Sequence, residues 1–172
     1  PKDLIPVVGK AFKIMTKGRP GPVHIQIPTD IMSKSFVRDV RKTRNSPTKP
    51  AAELFPTSRI QRFVDQTKMP IIIVGGGARN AKNTLLDLVN SLNAPVISTT
   101  NARDIIGHHP LHVPASPSLP SVRKVIQDSD LVIAIGTEMG STDFDFYEDN
   151  LFPEIRTLIR VDIDESHFHE KS

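Results

Sequence analysis

The chain has no cysteine, so neither a disulfide framework nor a thiolate metal centre can be built from it. It has no apolar run longer than a strand, and nothing in it resembles a signal peptide or a membrane span. A soluble, cytoplasmic protein with no membrane partner is the expectation. Also missing are a Walker loop, a zinc signature and a serine in an activating motif. The first residue is Pro1 rather than Met, already one step from a helical pattern, which leads us to expect a piece of a longer chain. Its 172 residues suffice for one domain, or for one domain with a fragment of another, around a real core.

Acidic residues are scarce at one end. Residues 1–50 hold 11 Lys and Arg against 3 acids, whereas residues 51–172 hold 11 against 16, so +8 and −5 lie behind the net charge of +3. The basic segment has neither interleaved aromatics nor a recognisable binding motif. It reads as a solvated linker or a partner-facing surface, and no nucleic acid partner is expected.

What is present is clearest from Met69 to Ala81. Pro70 to Val74 is a short run of Ile and Val with no polar face, as suits a strand covered on both sides. Gly75, Gly76 and Gly77 follow, where a tight strand-to-helix turn needs positive φ or close backbone approach. Ala81, Leu85, Leu88, Val89 and Leu92 then mark one helical face, and Ala94 to Ser98 is the next strand. Strand, glycine turn, helix and strand make a βαβ unit.

Elsewhere the same grammar recurs. Asp3 is a plausible N-cap for a helix striped by Leu4, Val8, Ala11, Phe12 and Met15 and ending at Lys17 and Gly18. Val23, Ile25 and Ile27 alternate with His24 and Gln26 in strand period, closed by Pro28, so His24 is a strand-face residue rather than a catalyst. From Ser33 to Pro56 the composition turns basic and proline-rich, as in a linker. Thr57 or Ser58 caps a further helix, with Ser58 and Gln61 at capping-box spacing and Ile60, Phe63 and Val64 as the buried edge. Thr99 to Pro117 reads as a long loop. Ser118 caps a helix with Pro120 in its first turn and Val122, Val125 and Ile126 inward. Asp130 to Gly136 is a third buried strand, Thr137 to Pro153 an irregular acidic and aromatic stretch, and Thr157 to Asp164 a fourth strand. The fold class is therefore α/β, an open doubly wound parallel sheet of Rossmann-like type.

Gly75 to Gly77, Thr99 to Asn101, Gly136 to Glu138 and Asp162 to Asp164 all lie just past strand ends, where open α/β sheets bind ligands. The glycine turn is the natural anion site. However, GGGARN is G-x-G-x-x-N, and the second strand ends in Ser98, Thr99 and Thr100 with no acid for a ribose, so the NAD fingerprint is incomplete. His108, His109 and His112 lie in a proline-punctuated loop and read as solvent-facing residues, as do Glu165, His167 and His169 near the end; no metal site is expected. Asp143, Asp145, Glu148 and Asp149 fit no calcium loop and read as an acidic loop over Phe144, Phe146 and Tyr147.

Two stretches carry a resemblance. GRPGPVHIQIPTD resembles the end of the pyrimidine-binding domain of thiamine diphosphate-dependent enzymes of the acetolactate synthase and 2-oxo acid decarboxylase type. PIIIVGGGARNA, APVISTTNARDIIGHHPL, SDLVIAIGTEMG and RVDID, in that order, are similar to the central domain of the same family. SPSLPSVR with GTEMGSTDFDFY looks most like decarboxylases of larger 2-oxo acids such as 2-ketoarginine.

The resemblance implies residues 1–32 as the tail of the pyrimidine-binding domain, 33–56 as a linker and 57–172 as the central domain. It implies a three-domain parent enzyme, a homodimer or homotetramer, with thiamine diphosphate and Mg²⁺ held by the first and third domains. The cofactor-activating glutamate would lie upstream of residue 1, and the GDG motif is absent, so this piece is expected to be catalytically silent, with no catalytic residue of its own. Some members hold FAD or ADP on the central domain. The matching positions are Gly76, Gly77, Thr99, Gly136, Asp162 and Asp164. Here Thr137 and Glu138 replace an arginine-containing segment that accompanies flavin, and a carboxylate repels a diphosphate; an empty edge is expected over an occupied one. The HHPL loop also lacks the glycine usual where Val113 or Pro114 stands. The rival readings are an autonomous nucleotide-binding domain for NAD, FAD or ADP, and a scaffold without a ligand.

Overall fold

The computed structural model describes residues 3–35, 57–144 and 153–164. The chain divides into two compact units, Pro1–Glu53 and Leu54–Ser172.

In the first unit, α1 (Leu4–Thr16) keeps Leu4, Val8, Ala11 and Met15 at least half-buried along one stripe. Phe12, expected on that stripe, is instead 61% exposed. Asp3 occupies the N-cap position but makes no side-chain capping bond. Residues 23–27, which alternate as a strand should, form none: the segment runs without a ladder partner among the described residues into the short helix α2 (Thr29–Met32). A strand pattern specifies a surface to be paired, and the pairing itself needs a neighbouring strand. Most of the expected linker, residues 36–56, lies outside the described residues.

The second unit begins with α3 (Thr57–Gln66). Of its expected buried edge only Val64 packs against the core, while Ile60 and Phe63 stay 39% and 38% exposed. Gln61 donates forward to Asp65 Oδ1 at 2.7 Å and does not reach back to Ser58, so no capping box forms. Then follow β1 (Pro70–Val74), a 3-10 segment over Gly76–Ala81, α4 (Lys82–Leu92), β2 (Val96–Ser98), a 3-10 turn over Thr100–Ala102, α5 (Arg103–Ile106), β3 (His112–Val113), α6 (Pro120–Asp128), β4 (Leu131–Ile135), α7 (Ser141–Phe144) and β5 (Leu158–Val161).

The five strands form one parallel sheet in the order β3-β2-β1-β4-β5. β1 is central, and the two faces of the sheet divide its residues. Ile72 and Val74 join Leu85, Val89 and Val96 on one side, while Ile71 and Ile73 join Val122, Ile126 and Phe144 on the other. This is why the run has no polar face. Each fully buried Ile or Val contributes roughly 1.5–3 kcal/mol of transfer free energy.

Two details depart from the sequence reading. The N-cap of α6 is Leu119 rather than Ser118, which hydrogen-bonds Ser116 instead, and Val125 is 43% exposed. The stretch 99–117, expected as loop, holds α5 and the edge strand β3, whose two residues pair with Val96 and Ile97. Two residues carry no readable period, so only the neighbouring strand defines this one.

Asp130, just before β4, fastens the entry to β1. Its carboxylate accepts from the Thr67 hydroxyl, from Lys68 N at 2.8 Å and from Met69 N at 3.1 Å. The Thr67 hydrogen bond first, then the two backbone N–H groups, hold the Asp130 carboxyl below its ordinary value.

Candidate functional site

The carboxyl edge of the sheet gathers four turns, after β1, β2, β4 and β5, and all six sequence-predicted positions stand on it. In this topology the chain reverses direction of travel between β1 and β4, and the crevice beside that point is where such sheets take ligands.

Here the crevice is closed by backbone. Gly75 N donates to Ile135 O at 2.9 Å and Gly77 N to Gly136 O at 3.0 Å. A Cβ on Gly75 would stand 2.2 Å from Gly136 O, and one on Gly136 would stand 2.6 Å from Ala78 N. The glycines after β1 therefore serve close approach between two turns, and none of the three has positive φ; that conformation belongs to Gly136, at +61°. The Gly77 N–H group that a phosphate would need is already taken, and the α-helix α4 starts only at Lys82, after the 3-10 segment.

The remaining positions are tied down as well. Gly76 faces Asn101, its hypothetical Cβ 3.3 Å from the Asn101 Cβ. Thr99 is buried, with its N–H on Val74 O at 2.9 Å. Asp162 Oδ1 accepts from Asp164 N at 3.1 Å, and its Oδ2 lies 3.6 Å from Arg160 Nη2. That guanidinium also donates to Glu138 O at 2.9 Å and Thr137 O at 3.3 Å, with its side chain only 12% exposed. A cation thus crosses from β5 to the turn after β4. Two of the groups that a diphosphate or ribose would use are thus already paired: the Gly77 N–H group with Gly136 O, and the Asp162 carboxylate with Arg160.

Several contacts that shape this edge gave no signal in the sequence. Arg79 bridges Asp104 at 2.9 Å and Asn101 O at 3.0 Å, linking the turns after β1 and β2. Asp143 Oδ1 accepts from Thr100 N at 3.2 Å. Arg123 donates to Phe144 O. Each joins partners far apart in the chain, which no local spacing encodes.

The histidines separate. His108 is exposed, His109 Nε2 lies 3.1 Å from Asn90 Oδ1, and His112 Nε2 lies 2.9 Å from Ser98 Oγ. Among the described residues no three of His, Asp and Glu converge on a cation position. Asp145, Glu148, Asp149, Phe146, Tyr147, Glu165, His167 and His169 lie outside the described residues.

Comparison with known proteins shows the family to which this sheet belongs. Residues 57–172 match the family model described as the thiamine pyrophosphate enzyme, central domain. The chain belongs to this family. The protein named probable 2-ketoarginine decarboxylase in Pseudomonas aeruginosa is 32% identical to the chain over 177 residues, covering 99% of the chain and 30% of that protein. The acetolactate synthase isozyme 1 large subunit of Escherichia coli is 28% identical over 169 residues, covering 95% of the chain and 29% of that subunit. An X-ray structure described as a thiamin diphosphate-dependent enzyme from Mycobacterium smegmatis superposes with a TM-score of 0.61 at 22% identity, over 96% of the chain and 33% of its own. The central-domain chain thus spans about 30% of the length of the curated relatives it matches. Its parallel α/β sheet is the one expected from the residues alone.

Proposed function

We propose that this chain is the central domain, preceded by the end of the pyrimidine-binding domain, of a thiamine diphosphate-dependent 2-oxo acid decarboxylase or carboligase. The family match over residues 57–172 carries the reading. In it, residues 1–32 belong to the first domain, 33–56 link and 57–172 space and orient the two cofactor-binding domains. The parent is a cytoplasmic homodimer or homotetramer, and Mg²⁺ and thiamine diphosphate sit outside this chain. Thiamine diphosphate, when bound in the parent, supplies the carbanion-stabilising chemistry. The residues described here hold a sheet and its turns, and none of them is assigned a role in the reaction.

One feature supports a positional role. The switch-point crevice is filled by the chain's own backbone, which also disfavours an autonomous nucleotide-binding domain. The similarity to a 2-ketoarginine decarboxylase over nearly the whole chain favours a larger 2-oxo acid as the parent's substrate.

The test is an assay of carbon dioxide release. With thiamine diphosphate, Mg²⁺ and either pyruvate or 2-ketoarginine, the 172-residue chain is expected to show none, and the full-length protein to turn over one of them. Turnover by the isolated chain would overturn the claim of silence, and micromolar NAD binding to it in calorimetry would favour an autonomous nucleotide-binding domain.

A further inference from the structure

A cavity of about 250 Å³ opens at the carboxyl end of β2 and β3, lined by Ser98, Arg103, His112, Pro114, Ala115 and Ser116. It stands to one side of the closed crevice. Its volume lies below the roughly 300–1,000 Å³ of sites for drug-sized ligands, so its occupant is compact.

The polar groups of the cavity have a definite sense. Arg103, from α5, is exposed and makes no ion pair or hydrogen bond among the described residues. Among the described residues no carboxylate lines the wall, and the nearby Asp104 is turned to Arg79 instead. Ser98 is 6% exposed, at the end of β2, and its Oγ lies 2.9 Å from His112 Nε2. His112 Nδ1 lies 3.0 Å from Gly107 O. A carbonyl oxygen can only accept, so Nδ1 carries a proton; in the neutral ring Nε2 accepts from the Ser98 hydroxyl. Protonation reverses that bond: Nε2–H then donates to Ser98 Oγ, and the Ser98 O–H is released to donate elsewhere. Ser116 Oγ is shared with Ser118, through its hydroxyl at 2.8 Å and its N–H at 3.3 Å.

We propose that this cavity binds a compact carboxylate, held by the Arg103 guanidinium and the Ser98 hydroxyl, and that binding takes up a proton at His112. The argument runs on charge and donor count. A guanidinium without a partner among the described residues, beside an apolar wall of Pro114 and Ala115, favours a small planar anion. With His112 neutral, Ser98 presents only lone pairs to that anion. With His112 charged, Ser98 becomes a donor, and the carboxylate offsets the repulsion between His112 and Arg103, the charged group lining the cavity with it. Ligand and proton therefore favour each other, by reciprocal linkage. The inference rests on the cavity and not on the thiamine diphosphate reading, so either can fail alone.

The test follows the imidazole resonances of the 172-residue chain while acetate, pyruvate or inorganic phosphate is added at constant ionic strength. His112→Gln identifies the signal. Acetate or pyruvate is expected to shift the His112 ring saturably, with affinity weaker at pH 8.0 than at pH 5.5, the direction that proton uptake requires. Arg103→Gln, a change at an exposed side chain, is expected to abolish saturation without moving the thermal midpoint. Saturation by phosphate alone, an affinity independent of pH, or full binding by Arg103→Gln would each overturn the proposal. So would the absence of any saturable shift.

Discussion

A methyl group on Gly136 would meet Ala78 N at 2.6 Å, at a backbone φ of +61°. Gly107 has the same φ of +61° but open space around its hypothetical Cβ. The pair separates two costs. Gly107→Ala, at φ +61° and ψ −135° and so outside the left-handed helical well, is expected to lose about 1–3 kcal/mol from backbone strain alone. Gly136→Ala adds overpacking to it, for a loss of about 2–5 kcal/mol. Urea unfolding midpoints of the two variants compare these directly. Asp130 offers a second residue-scale test. Its carboxyl is held below the ordinary value of 3.8. The bonds from Thr67, Lys68 and Met69 thus stabilise the fold fully above that value, and this contribution is lost as pH falls through the lower folded value. Asp130→Asn should therefore be less stable than the parent chain at pH 7, and the gap should narrow below about pH 4. A gap unchanged down to pH 2.5 in thermal melts would show that the carboxylate's charge contributes nothing.

Strands β1 and β4 pair over five residues each, with both faces of β1 covered. Segment 20–28, whose residues 23–27 alternate in strand period, has no ladder among the described residues. Burial and hydrogen bonding set local opening free energies, so amides 71–74 are expected to exchange by global unfolding and amides 23–27 far faster. Equal protection of the two segments in hydrogen exchange would mean that 20–28 finds a sheet partner in solution. Among helices the lesson is similar. The stripe on α4 is real because β1 and β2 lie beneath it, and Leu85 and Val89 are buried. On α3 the same kind of stripe anchors only at Val64. Periodicity states which face an element can bury, and the neighbours decide how much of it they cover.

At the scale of the molecule, the division into units 1–53 and 54–172 predicts that residues 54–172 alone keep a single cooperative unfolding transition, whereas 1–53 alone show none in circular dichroism. Loss of the transition in the larger piece would show that its core needs the first unit. The split of charge, +8 before residue 51 and −5 after it, falls close to the same boundary. The βαβ unit, the strands β4 and β5, the parallel class of the sheet and the four turns at its carboxyl edge were legible in the residues, whereas α5, α7 and β3 were not and the strand expected at 23–27 does not form. Apolar runs too short for helices, glycines after them and 3.6-residue stripes between them are local signals with local causes. Tertiary structure alone showed which groups on that edge are already engaged. Gly75 and Gly77 look like a phosphate turn in the chain, but the turn 60 residues later fills their concavity. Asp162 looks like a ligand acid until Arg160 is seen beside it. Neither β3 nor the Ser98 and His112 pair leaves a periodic trace, because two residues on an edge strand acquire their partners only when the sheet assembles. Spacing along a chain reports which groups are available; which of them remain for a ligand depends on contacts between segments that spacing does not record.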